Sequence, residues 1–327
     1  MNLSIVVTCF NKLEFIPEFI EHSRQLLNRG CELVVIDDCS TDGSLELLRS
    51  SLFSHNGLVF IELNQNLGSA HARNLGISRC TKSYIFFLDI DDFCYIDEIE
   101  SALELSTTAE SDLFIGNLRA LPENSLLEMP FKSAETALVS LLSVSQSLPK
   151  IMGYSRYIYS RDFILRNSIR FFPERHESLG FQFILDDAFW ILYISALEGS
   201  ILVSNPNIVL YRYNKREMTS ESWNRYLDQV ELIPYLVGNF LLLHQGMNQS
   251  SRKRLWKNTI EWAFEAISPL AFRRVRRSGI LSFRILTILS KEGNPWSLLM
   301  FYIPRTILKS LKVSVRLRSR IKVWVGF

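Results

Sequence analysis

Phe86-Phe87-Leu88-Asp89-Ile90-Asp91-Asp92 runs a stretch of bulky apolar residues straight into three carboxylates within four positions. Carboxylates that close repel one another and raise one another's pKa, so a chain that gathers them at a strand end calls for a cation or a donor group there. Mg²⁺ and Mn²⁺ prefer oxygen ligands. Mg²⁺ commonly takes one or two protein carboxylates and completes its shell with water and substrate phosphates, which makes a nucleoside diphosphate the first candidate ligand. The plainer alternative is an acidic loop in which Asp91 or Asp92 caps a helix starting near Tyr95. Two further acidic pairs stand out. Asp37-Asp38 follows Val35-Ile36, and Asp186-Asp187 opens an apolar helix that runs through Trp190, Ile194 and Leu197.

The elements that would carry these groups alternate. Leu3 to Thr8, Glu32 to Ile36, Leu58 to Leu63 and Ser83 to Leu88 read as strands, continuous enough in apolar character to be buried on both faces. Helical spacing covers Glu14 to Leu27, Ser44 to Leu52, Ser69 to Arg79 and Ile96 to Leu105, and Leu113 to Asn117 reads as another strand. Strand and helix alternation implies a mostly parallel, Rossmann-like α/β sheet with right-handed crossovers. Ligands of such sheets sit outside the carboxyl ends of the strands, where Asp37-Asp38 and Asp89 to Asp92 both fall. Regularity fades from Pro122 to Pro130, and from about residue 227 the chain reads as helical with interspersed basic residues.

At 327 residues and 47% apolar composition the chain can fill a large core. The five cysteines (Cys9, Cys31, Cys39, Cys80, Cys94) have no metal-binding spacing, and no secretory signal precedes them, which points to reduced thiols and a cytoplasmic location. No apolar run reaches the length of a membrane span. Charge is divided unevenly. Residues 251–327 hold 17 Lys and Arg against 3 Asp and Glu, net +14, leaving 19 against 31, net −12, for residues 1–250. Such asymmetry points to a polyanionic partner for the tail.

Four motifs in order resemble glycosyltransferase family 2, the inverting, nucleotide-sugar-dependent enzymes with a GT-A fold. They are Ser4-Ile5-Val6-Val7-Thr8-Cys9-Phe10-Asn11, then Val35-Ile36-Asp37-Asp38-Cys39-Ser40-Thr41-Asp42-Gly43-Ser44, then Asn66-Leu67-Gly68 with Ala72-Arg73-Asn74-Leu75-Gly76, and Leu88-Asp89-Ile90-Asp91-Asp92. The resemblance implies a catalytic domain over 1–225, with a nucleotide-binding half at 1–117 and an acceptor-side half at 118–225, followed by a helical basic region at 226–327.

By that resemblance Asp89 and Asp91 hold Mn²⁺ or Mg²⁺ and the ribose, Asp91 being the more direct metal ligand. Thr8, Asn11, Asp38, Gly68, Arg73 and Arg212 join them around a nucleotide-sugar, expected to be a UDP-sugar. Asp38 suits the N–H of a uracil, Gly68 lets backbone approach a ligand, and Arg73 offers a rigid donor fork, while Asp42 and Ser44 read as helix capping. Asp186-Asp187-Ala188-Phe189-Trp190 matches the family's acidic pair with Asp in place of Glu, so Asp187 corresponds to the catalytic base, capping of the helix being the alternative. The chain departs from the family in two places: Thr8 stands where proline is common, and Asn214 follows Tyr211-Arg212-Tyr213 where a histidine is usual, leaving Arg212 alone for diphosphate contact. The absence of a Gln-x-x-Arg-Trp signature favours addition of one sugar per encounter over processive synthesis.

Phe272-Arg273-Arg274-Val275-Arg276-Arg277 and Arg305 to Lys322 interleave cations with Trp296, Phe301, Tyr302 and Trp324, a pattern suited to an anionic bilayer surface. The expectation is therefore a peripheral protein on the inner face of the cell membrane, transferring a sugar to a lipid-linked saccharide in surface polysaccharide assembly, with a homodimer face as another use for the tail. A metal-dependent nucleotidyltransferase competes with this reading but would want a Gly-rich loop after the first strand, which Thr8 to Lys12 lacks. A non-enzymatic polyanion-binding protein would show tight, salt-dependent binding to duplex DNA, and nucleic acid is not the expected partner. A dehydrogenase is set aside because the first glycine is Gly30.

Overall fold

The computed structural model describes residues 1–52, 55–121, 136–144, 153–172, 186–212, 237 and 247–259. The basic tail from 260 onward, with the clusters at Phe272 to Arg277 and Arg305 to Lys322, lies outside the described residues, as do Pro173, Glu174, Tyr213 and Asn214.

The strands are β1 Leu3–Cys9, β2 Glu32–Asp37, β3 Leu58–Glu62, β4 Tyr84–Asp89, β5 Phe93–Cys94, β6 Leu113–Leu121, β7 Ala137–Ser140, β8 Tyr157–Ser160 and β9 Ser200–Arg212. The α-helices are α1 Ile16–Asn28, α2 Ser44–Leu52, α3 Ser69–Arg79, α4 Ile96–Thr108, α5 Leu141–Val144, α6 Arg161–Arg166 and α7 Asp186–Ser195. Among the described residues the strands form one sheet in the order β3-β2-β1-β4-β8-β6-β9-β5, with β7 also paired to β9. β1 to β4 are mutually parallel, and β6 and β9 share their direction. The sheet is mixed, because β8 runs against β4 and β6, and β5 and β7 run against β9. Continuous apolar runs specify burial on both faces but not direction, so the reversal at β8 could not be read from the chain.

Side-chain alternation divides the core in two. Val6, Val34, Ile36, Ile85 and Phe87 pack with residues of α3 and α7 on one face. Ile5, Val7, Leu33, Val35, Phe86 and Leu88 pack with residues of α1 and α4 on the other. The apolar face of α3 reaches β1 because Gly76 has no side chain: a Cβ there would lie 2.3 Å from Val6 Cγ1. The helix at 249–259 also joins the first face through buried Leu255 and Trp256. No helix among the described residues is long and apolar enough to cross a membrane.

Element boundaries differ from the sequence reading where local chemistry intervenes. α1 starts at Ile16 rather than Glu14, since Pro17 suits a helix's first turn and Leu13–Phe15 wind as a 3₁₀ turn instead. β6 continues past Asn117 to Leu121, with Leu118 and Ala120 buried and Arg119 and Leu121 exposed. Pro206, which has no N–H to donate, falls in β9 where the β6 register shifts around Gly116.

Candidate active site

Parallel register brings the chemistry to one edge. Thr8 pairs with Asp89 across β1 and β4, and Cys9 pairs with Asp37 across β1 and β2, so the loops after three adjacent strands start side by side. The first two loops are tied together: Asn11, at φ 51°, accepts the Thr41 N–H at 2.8 Å and donates its own N–H to Ser40 Oγ at 3.0 Å. Asp37 is fully buried and closes its turn by accepting the Ser40 N–H at 2.8 Å. Asp42 accepts the backbone N–H of both Ser44 and Leu13 at 3.0 Å, as capping of α2 requires.

Asp38 is buried and uses one oxygen for the Leu67 N–H at 2.7 Å and the other for the Gly68 N–H at 2.8 Å. Its carboxyl is nevertheless raised, because burial outweighs those two donors. Gly68 adopts φ +88°, a conformation only glycine takes without strain, and a Cβ there would meet nothing within 4 Å. The loop that Asp38 braces thus presents bare backbone to open space.

Asp89 is surrounded by donors. Arg73 Nη2 donates to its Oδ1 at 2.9 Å, Thr8 Oγ1 donates to the same oxygen at 3.3 Å, and the Tyr154 hydroxyl donates to Oδ2 at 2.5 Å. Burial pushes this carboxyl up, yet Arg73, Tyr154 and Lys12 together hold it below the ordinary range. Arg73 is itself buried, its guanidinium 4.0 Å from the Tyr154 ring centre and 5.3 Å from that of Phe171. Beside it, Asn74 donates to the Phe171 carbonyl at 2.9 Å and accepts the Phe171 N–H at 2.8 Å, docking the segment that follows α6 onto α3.

Asp91 receives the Lys12 ammonium at 2.5 Å, and its side chain keeps one-fifth of its surface exposed. Asp92 is buried and accepts the backbone N–H of Arg212 at 2.8 Å. Its carboxyl is raised well above the usual range, first by burial and then by the charges of Asp89 and Asp91. The helix-capping alternative for these aspartates fails, since Tyr95 is the N-cap of α4 and no side chain bonds there. The Arg212 guanidinium lies 4.5 Å from the Phe93 ring centre and 5.5 Å from that of Phe15, ion-paired with Glu18 of α1. Lys12 and Tyr154 contact the candidate residues Asp91 and Asp89, and the sequence reading did not single them out. Lys12 follows a motif residue directly, but Tyr154 carries no motif and is recruited by tertiary contact alone.

Asp187 stands in the first turn of α7, half-buried, with Oδ1 accepting the Ala188 N–H at 2.6 Å. One turn on, Trp190 is fully buried, stacked on Phe171 at 3.9 Å with planes 6° apart, and donates Nε1 to the Tyr159 hydroxyl at 2.9 Å. α7 is therefore docked on the aromatic cluster that also clamps Arg73 and, through Tyr154, Asp89.

This fold, a mixed curled sheet with helices on both faces and acidic loops at the ends of its parallel strands, is the GT-A type of nucleotide-sugar-dependent glycosyltransferases. A TM-score of 0.60 relates it to residues 1–349 of Staphylococcus aureus TarS in complex with UDP-GlcNAc, at 19% identity over 83% of this chain and 75% of that one. The model of glycosyl transferase family 2 matches residues 4–189, and the chain belongs to that family. Glycosyltransferase GlyG of Streptococcus pneumoniae is 27% identical over 214 residues, 64% of this chain and 70% of GlyG. A teichoic acid poly(glycerol phosphate) polymerase of Staphylococcus epidermidis is 35% identical over 91 residues, which is 28% of this chain and 13% of that protein. The enzyme is a glycosyltransferase.

Proposed function

We propose that this glycosyltransferase moves one sugar per encounter from a UDP-sugar to a hydroxyl of a lipid-linked saccharide, with inversion, during assembly of a bacterial surface polysaccharide. The observation that carries the reading is the cluster at the ends of β1, β2 and β4, where Asp38 braces the bare backbone of Gly68 and Asp89 is fixed between Thr8, Arg73 and Tyr154. TarS, which has the same fold, binds UDP-GlcNAc, which supports uridine as the base. The teichoic acid polymerase supports a cell-surface polymer as the pathway.

A hard divalent cation fits the residues by their chemistry. Asp89 and Asp91 offer oxygen donors, Asp91 Oδ1 accepts no hydrogen bond among the described residues, and no group of three or more His, Cys, Asp or Glu there forms a cage of its own. That matches an ion held by one or two carboxylates and completed by substrate phosphates. Bound there, Mn²⁺ or Mg²⁺ would neutralise charge on the departing diphosphate. The chain supplies the rest. Arg73 and Lys12 favour the ionised form of Asp89, Gly68 and Asn11 shape the nucleotide loop, and Arg212 stands by for the phosphates once it leaves Glu18. Asp187 accepts the proton of the attacking hydroxyl as its bond to the anomeric carbon forms, when that hydroxyl becomes far more acidic.

Thermal stabilisation by UDP-, GDP- and dTDP-sugars, each with and without Mn²⁺, identifies the donor class, because a ligand that binds only the native state raises the melting temperature. UDP-sugars with Mn²⁺ are expected to give the largest shift. Asp91→Ala and Asp187→Asn are expected to remain folded and to lose transfer by a factor of about 10² or more. Undiminished turnover in both variants would remove the proposed chemistry.

A further inference from the structure

Asp89 belongs to the nucleotide-binding half, yet one of its two oxygens is held by a residue from the other half of the catalytic domain. Tyr154 sits in the 3₁₀ turn Tyr154–Arg156 that leads into β8. Its hydroxyl accepts a hydrogen bond from Arg73 Nη2 and donates one to Asp89 Oδ2 at 2.5 Å, so the proton direction along Arg73, Tyr154 and Asp89 is fixed. Its ring is buried and edge-on to both Phe87 and Phe171, at 6.1 Å and 5.6 Å between centres. Its carbonyl accepts from the Tyr159 hydroxyl at 3.0 Å, and that hydroxyl accepts from Trp190 of α7. The tyrosine is held by packing and by both of its ends.

We propose that Tyr154 is a positioning residue for donor binding: its hydroxyl fixes the Asp89 carboxylate and ties it to the aromatic cluster on which the helix of Asp187 is docked. Fixing matters because Thr8 and Arg73 share Oδ1, so that among the described residues the Tyr154 hydroxyl is what holds Oδ2. Without it the carboxylate gains a torsional freedom that donor binding must then remove. Outer-shell hydrogen bonds of this kind typically change metal affinity or activity by about 10- to 100-fold. The inference rests on the reading of Asp89 as a donor-site residue.

Isothermal titration of the full chain with UDP in the presence of Mn²⁺ tests it, comparing wild type, Asp89→Asn, Tyr154→Phe and Tyr159→Phe, with melting temperatures measured alongside. Tyr154→Phe keeps the ring and its packing, so it is expected to melt near wild type yet bind Mn²⁺ and UDP about tenfold more weakly. Tyr159→Phe, which removes a hydroxyl one step further from Asp89, separates general loosening of the cluster from loss of the Asp89 contact and is expected to bind like wild type. Unchanged affinity in Tyr154→Phe, with Asp89→Asn weakened, overturns the role of Tyr154 while leaving the donor site standing. An equal loss in Tyr154→Phe and Tyr159→Phe also overturns it, by making the effect one of packing. Wild-type affinity in Asp89→Asn, or no binding by wild type, overturns the donor-site reading and this inference with it.

Discussion

Asp89, Asp91 and Asp92 meet Lys12, Arg73 and Arg212 at the carboxyl edge of the sheet, and each contact has its own character. Arg73 is buried against Asp89 and clamped between two rings, whereas Arg212 is ion-paired with an exposed Glu18. Removing Arg73 is costly because the Asp89 charge stays behind with only about a third of its side chain exposed. Arg73→Met is therefore expected to lower stability by about 3 kcal/mol, and chemical denaturation of the variant checks this. Arg73→Lys should recover only part, since an ammonium cannot reach Asp89 and the tyrosine hydroxyl with the fork geometry of a guanidinium. A loss below about 1 kcal/mol in Arg73→Met would show that the pair is solvated after all. Three crowded aspartates in the sequence suggest charge awaiting an external partner. Lys12 and Arg73 already neutralise two of them, and Asp92 is pushed toward its protonated form.

At the scale of elements, α1 and β5 meet at a buried histidine. His22 is fixed against Cys94, whose backbone N–H it accepts at 3.3 Å, and Phe93 lies edge-on at 5.2 Å. Burial pushes the imidazole down from 6.5 to about 4. The unfolded chain therefore binds a proton near pH 6.5 that the native chain refuses until about pH 4. Stability must fall as pH drops through that window, by up to roughly 3 kcal/mol from this group. Urea denaturation at pH 7 and pH 5 should show the decline, and His22→Leu should flatten it; an equal slope in the variant would assign the effect elsewhere. The docking of α7 follows a different logic. Its sequence is apolar on nearly every side, so periodicity could not say which face meets the sheet. The Phe171–Trp190 stack decides that, and with it where Asp187 stands.

For the whole molecule, the described part is one mixed sheet with helices on both faces, and the helix at 249–259 is docked on it by Arg254 donating to the Ala196 carbonyl at 3.0 Å and Asn258 donating to Ser195 at 2.9 Å. The excess of cations begins within this segment and continues beyond the described residues. If the tail holds the enzyme on an anionic surface, each basic residue near that surface contributes on the order of 1 kcal/mol. Replacing Arg273, Arg274, Arg276 and Arg277 with Gln in the full chain is expected to weaken binding to phosphatidylglycerol vesicles by roughly a hundredfold or more. Sedimentation with vesicles at low and high salt measures it, and retention equal to wild type would assign the basic tail to another partner.

Four ordered motifs, strand and helix alternation and acidic residues at strand ends were enough to determine the family, the α/β class and the edge of the sheet where the candidate residues gather. These are local signals: apolar continuity reports burial, and a turn's side chains report what the turn must hold. Only the tertiary structure decided that β8 reverses, that Asp38 braces a loop through both its oxygens, that Lys12 covers Asp91 and that Tyr154 reaches from the turn before β8 to Asp89. Each of these joins residues between 29 and 79 positions apart, and no periodicity within one segment records which distant segment will pack against it.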